Sequence, residues 1–168
     1  MNYNLSVVVQ GPSGIGKTYA LRKAFGIDGV YGYKRVTTGK TPVATLGRLH
    51  YIPELRNTRH NKEAVMDGFV SLLTREGVAV TDLNTTAPFA KRLLQEHSIP
   101  YYVTLTATDS EIRDRVMARP SAPNATLTKE EVIAKSIANR DYVLDNTFCD
   151  EVMTQEEFVE YLRDIAFR

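Results

Sequence analysis

At 168 residues, 43% apolar and 24% charged, the chain has the length of one domain and a composition suited to a soluble α/β protein with a buried core. Its single cysteine, Cys149, excludes an internal disulfide and every multi-cysteine metal motif. The net charge of +1 conceals an asymmetry: residues 1–62 carry ten Lys/Arg against two acids (+8), and the remainder 11 basic against 18 acidic groups (−7). A basic half of this kind suits a phosphate-rich ligand or nucleic acid, although solvated surface charge reads the same way.

The opening MNYNLSVVVQGPSG has no basic n-region, and its apolar stretch is too short for a signal peptide or a membrane span. A cytoplasmic protein without membrane contact is expected. Leu5–Gln10 is a β-branched run ending at glycine, the pattern of a buried parallel strand. From Gly16 the period becomes helical, with Ala20, Leu21, Ala24 and Phe25 on one face and Gly26 as the stop. Val30–Thr38 reads as extended. Pro42 to His60 is basic and without period, which predicts a mobile, substrate-facing segment.

Lys62–Arg75 is helical, since Val65, Phe69, Leu72 and Leu73 recur at i, i+4, i+7, i+8. Gly77 ends that helix, and Val78–Thr81 forms a second buried strand running into Asp82. Pro88 suits the first position of a helix that turns Phe89, Leu93 and Leu94 inward. Pro100–Ala107 reads as a third core strand. Three later helices open with Thr-x-x-Glu capping boxes: Thr108/Glu111, Thr128/Glu131 and Thr154/Glu157. The last strand falls at Glu151–Met153 or at Tyr142–Leu144; the first is preferred because Thr154 caps the helix that carries Phe158, Tyr161, Leu162 and Ile165. Strands alternating with helices predict a three-layer α/β fold, with a central parallel sheet of about five strands flanked by helices. No repeat or linker divides residues 1–168.

The chemistry begins at Gly11-Pro12-Ser13-Gly14-Ile15-Gly16-Lys17-Thr18, which fits G-x-x-x-x-G-K-[ST] between a strand and a helix. Glycines at 11, 14 and 16 allow backbone N–H groups to turn in around phosphates. Lys17 would reach the β/γ oxygens, and the Thr18 hydroxyl would ligate Mg²⁺. This predicts a P-loop for ATP with Mg²⁺. Asp82 ends a buried strand, where an acid meets the metal or else caps the following loop. Asn84 lies two residues further and projects to the same side. Arg115 and Arg119, four apart, leave one helix face. Pro120 and Pro123 follow in a loop over about 119–128 that predicts a lid, with both arginines neutralising a transferring phosphoryl group. The plainer alternative pairs them with Glu111 or Asp114 on a solvated face. Lys135 and Arg140 are weaker candidates that suit the surface better. Lys34, Arg35 and Lys40 bracket Thr37 and Thr38 and would hold a second phosphate. Tyr51 is a candidate for stacking on a base. His50 and His60 lack metal-ligand spacing and read as structural or surface groups.

With these residues in place the chain resembles nucleoside monophosphate kinases, and the guanylate kinase family most. Thr37-Thr38, Gly47-Arg48-Leu49-His50-Tyr51, Asp82-Leu83-Asn84 and Arg115…Arg119 occur in that family's order. The resemblance implies ATP-dependent phosphorylation of a nucleotide, an acceptor-binding region over about 30–62 and a mobile lid. The family's two acceptor-phosphate arginines and a nearby glutamate fall on Gly39, Pro42 and Thr45 here, and the second Asp of its Asp-x-Asp falls on Asn84. The donor half is kept and the acceptor half is rebuilt.

The leading expectation is a kinase that moves the γ-phosphate of ATP to a small phosphorylated acceptor, a nucleotide or similar molecule. One alternative is a kinase acting on a hydroxyl in DNA, engaged through the basic segment 34–62. Another is a guanylate-kinase-like binding module without activity, against which stand the intact Lys17 and Thr18. Either a monomer or a dimer is compatible with the sequence.

Overall fold

The computed structural model describes residues 4–11, 15–27, 44–51, 70–83, 88–121 and 124–168, with the backbone alone at 83 and 88–90. Expectations on Pro12, Ser13, Gly14, Lys34, Arg35, Thr37, Thr38, Lys40 and Asn84 lie outside the described residues, as do most of the predicted 62–75 helix and positions 122–123 of the lid loop.

Element order follows the sequence pattern. Strand β1 (Asn4–Gln10) leads through the glycine loop into α1 (Lys17–Phe25), which stops at Gly26 in the left-handed region. The short strands β2 (Ala44–Leu46) and β3 (Leu49–Tyr51) follow, then α2 (70–74), β4 (Val78–Leu83) and α3 (Pro88–His97). Strand β5 (Ser98–Leu105), α4 (Asp109–Ala118), α5 (Lys129–Asn146), β6 (Glu151–Met153) and α6 (Gln155–Ala166) complete the chain. The last strand is thus at Glu151–Met153, and residues 142–144 belong to α5.

Among the described residues the sheet has six strands, in the order β2-β3-β4-β1-β5-β6. Five run parallel, and β2 pairs antiparallel with β3 at the edge. The expected mobile segment is therefore corrected over 44–51, which forms a hairpin whose second strand is buried throughout. Three-residue strands are too short to print a period, and the local turn signal is a single glycine. Gly47 turns at φ 55, and a Cβ there would lie 2.1 Å from the Ala166 carbonyl oxygen. The close approach lets Arg48 bond α6's last turn, its backbone N–H to Ala166 at 3.0 Å and its Nε to Ile165 at 2.8 Å. A cation there also complements the helix dipole.

Side-chain alternation assigns the two faces. Val7 and Val9 of β1, Val80 of β4, and Val103 and Leu105 of β5 join α1 and α6 in one core with Leu21, Phe158 and Leu162. Phe158, Leu162 and Leu21 are fully buried, each contributing about 1.5–3 kcal/mol. Val8 and Tyr102 point the other way, where Lys91 of α3 lies 5.8 Å from the Tyr102 ring centre. From β1 the chain goes to one side of the sheet, and from β4 it crosses to β5 on the other. The crevice of such a sheet opens beyond the C-terminal ends of the strands at that switch, here at Gly11 and Asp82.

His50, in the middle of β3, is 3% exposed and donates from Nε2 to the Leu72 carbonyl at 2.9 Å. Burial holds its pKa below the usual histidine value, the Leu72 bond opposing and Arg75 adding to the shift. A depressed histidine pKa gives stability that is complete above the unfolded value of about 6.5 and is lost as pH falls below it. Urea unfolding between pH 7.5 and 5.5 should therefore show the wild-type midpoint dropping more than that of His50→Gln. Parallel curves for the two proteins would contradict a buried neutral imidazole.

Candidate functional site

Four helices start at described N-caps, and one of them differs from the rest. Helices α4, α5 and α6 begin with Thr108, Thr128 and Thr154, each in a full capping box with Glu at the third position. In each the threonine hydroxyl accepts from the third-position N–H, and acids face the first turn. Helix α1 begins after Gly16, which offers no side-chain cap, and has no acid in its first turn. Glycine supplies no side-chain acceptor there, so the positive dipole end of α1 suits an anion. The same sequence step supplies the positive charge, since Lys17 is the first residue of α1.

Lys17 is half-buried and donates from Nζ to the Gly11 carbonyl oxygen at the loop's other end. Burial lowers its pKa from the usual lysine value, and the Asp82 carboxylate opposes that shift. Asp82 pairs with Val9 in register, so it shares the α1 face of the sheet, beside Lys17. Thr18 and Asp82 are both half-buried. No group of three or more His, Cys, Asp or Glu that could hold a metal ion occurs among the described residues. One hydroxyl and one carboxylate suit Mg²⁺, which keeps waters and takes phosphate oxygens, and do not suit an all-protein zinc site.

The two arginines part company. Arg115 donates from Nη1 to the Ile15 carbonyl at 2.9 Å and from Nη2 to Gln155 Oε1 at 2.9 Å, with Glu111 Oε2 at 3.6 Å. Gln155 in turn donates from Nε2 to the Gly16 carbonyl at 3.0 Å. Arg115 is thus bound to the end of the glycine loop, and of the two ion pairs anticipated for it only that with Glu111 forms alongside. Arg119 is exposed and closes α4 as its C-cap. Helices α4 and α5 are held together by the Arg113–Glu130 fork at 2.7 and 3.1 Å and by Lys129 Nζ on Met117 O at 2.9 Å.

Tyr51 is corrected as a stacking residue: it is 2% exposed, in the core cluster, with its ring centre 5.4 Å from that of Phe25. Arg140 is likewise no surface group, for it bonds Asp109 at 2.6 Å, Asp141 at 2.9 Å and the Ala107 carbonyl at 2.9 Å. Gln155 was missed by sequence reasoning. Its one signal is its place directly after the capping Thr154.

No family model matches the chain, and no curated protein matches it in sequence. Among solved structures, a shikimate kinase from Bacteroides thetaiotaomicron superposes with a TM-score of 0.54 at 12% identity, over 95% of this chain and 97% of that one. A sugar kinase from Janibacter sp. HTCC2649 gives 0.48 at 13% identity, over 98% and 96% of the two chains. A gluconokinase from Sinorhizobium meliloti 1021 gives 0.46 at 13% identity, over 99% and 91%. The likeness to the first shows the fold: a mostly parallel sheet flanked by helices, as in that shikimate kinase. No described helix is long and apolar enough to cross a membrane.

If the glycine loop binds phosphates, Lys17→Met should lose the upward shift in melting temperature that Mg·ADP would give the wild type. Equal ligand-induced shifts in calorimetric scans would remove Lys17 from the phosphate site.

Proposed function

We propose that the protein is an ATP-dependent kinase that transfers the γ-phosphate to a nucleotide or similar small phosphorylated acceptor. The observation that carries this reading is the uncapped N-terminus of α1, with Lys17 at its first position and Asp82 facing it. The P-loop kinase fold supports it.

In this reading the loop amides from Gly11 to Thr18 bind the triphosphate, and Lys17 leaves the Gly11 carbonyl for the β/γ oxygens. An oxygen of the acceptor attacks the γ-phosphorus, and the bond to the bridging β/γ oxygen breaks as ADP departs. Fixed N–H dipoles and an ammonium stabilise charge there without reorganising. Thr18 and Asp82 would hold Mg²⁺, which when bound neutralises the phosphate oxygens. Arg115 supports the loop rather than the acceptor. Arg119, exposed before the lid loop, is the arginine free to approach a closed triphosphate.

The acceptor half follows the resemblance to guanylate kinases, with Lys34, Arg35, Thr37, Thr38, Lys40 and Asn84 near the transferred phosphate. Gly39 and Pro42 stand where that family has phosphate-clamping arginines, each of whose charge-assisted bonds is worth roughly 1.5–3 kcal/mol. A lysine is a point charge and lacks the planar fork. GMP should consequently be at least ~10²-fold below the best acceptor in kcat/KM, about 3 kcal/mol of missing contacts.

Transfer from γ-labelled ATP to a panel of nucleotides, sugar phosphates and oligonucleotides tests the reading. Phosphorylation of a small phosphorylated molecule supports it, and label on the oligonucleotide alone or on no acceptor overturns it. GMP equal to the best acceptor would contradict the diverged clamp. Asp82→Asn should weaken Mg²⁺-dependent activity while leaving metal-free nucleotide binding nearly intact. Equal losses with and without Mg²⁺ would make Asp82 a structural residue.

A further inference from the structure

We infer that Gln155 is a positioning residue for the donor loop: with Arg115 it fixes the carbonyls of Ile15 and Gly16, so that the N–H groups of the same turn face the phosphates. The inference rests on the donor-site reading above and adds to it a residue outside the loop motif.

The orientation of the Gln155 amide is set by its partners. Arg115 has only donors, so it must meet the amide oxygen; Gly16 O only accepts, so it must meet the amide nitrogen. Both contacts occur, at 2.9 and 3.0 Å. The second nitrogen of Arg115 reaches the Ile15 carbonyl at 2.9 Å. Two consecutive carbonyls at the end of the loop are thereby held from outside it, and Gly16 O accepts the first helical bond, from Ala20 N at 3.0 Å, as well. A carbonyl held outward by its peptide plane turns the next N–H inward, because the peptide unit is rigid.

Gly16 is matched to this amide. Its φ of 96 already favours glycine, and a Cβ built there would lie 1.7 Å from Gln155 Nε2. The loop has thus left a space that the amide fills. Gln155 is delivered by the Thr154/Glu157 capping box, whose bonds of 3.1 and 3.2 Å fix the first turn of α6, and α6 is itself buried against α1 through Phe158 and Leu162.

The test is the affinity of Mg·ADP and of inorganic tripolyphosphate for the wild type, Gln155→Ala and Gln155→Met, by titration calorimetry. Tripolyphosphate has no base or sugar, so it reads the loop alone. Methionine keeps the length and apolar volume while removing both hydrogen bonds. Both variants should unfold cooperatively near the wild-type temperature and bind both ligands about tenfold more weakly. Unchanged tripolyphosphate affinity with weakened ADP would mean that Gln155 touches the nucleoside, and would overturn positioning, as would unchanged affinity for both ligands. A wild type that binds neither ligand would overturn the donor-site reading, and this inference with it.

Discussion

Helix α1 starts at a glycine, without a side-chain cap and with Lys17 at its first position, and its neighbours are arranged around that end. A helix end without a cap or an acid costs stability wherever water or an anion does not satisfy it. The chain caps α4, α5 and α6 by one repeated threonine–glutamate device and omits the device at Gly16. The omission coincides with a half-buried ammonium at the first helical position. Both features suit an anion at that end of the helix.

Holding such an end open requires support from elsewhere. Helix α6 supplies it at both of its termini: Gln155 at its start meets Gly16, and the carbonyls of Ile165 and Ala166 at its end meet Arg48 on the β2–β3 turn. Between these contacts its apolar face is fully buried at Phe158 and Leu162. The helix thus joins the glycine loop to the edge hairpin. Arg140 does comparable work for α4 and α5, tying the Ala107 carbonyl and Asp109 to the middle of α5.

Much of this was legible in the residues. The capping boxes fixed three helix starts, because a threonine and a glutamate three apart satisfy each other's backbone groups locally, without tertiary help. Gly26 marked a helix end, and the apolar runs of β1, β4 and β5 marked strands buried on both faces. The β2–β3 hairpin was not legible, since its strands have three residues each and its turn depends on contact with α6. Tyr51 and Arg140 were misplaced for a related reason: burial of one residue depends on what packs over it, and neither Phe25 nor Asp109 announces that contact in sequence. The spacing of Arg115 and Arg119 gave a common face but not a common partner, and only Arg115 is turned to the loop. Gln155 carried no motif because its role lies in an amide reaching across 139 residues.

The central claim is that α1's open end takes the phosphates of ATP, with Lys17 moving from a backbone carbonyl to them. A crystal structure with Mg²⁺ and a non-hydrolysable ATP analogue tests it most directly. The expected result is β- and γ-phosphates on the N–H groups of Gly16 to Thr18, with Lys17 Nζ on their oxygens and no longer on Gly11, and the metal between Thr18 and Asp82. Phosphates bound elsewhere, or Lys17 still bonded to the Gly11 carbonyl beside them, would contradict it.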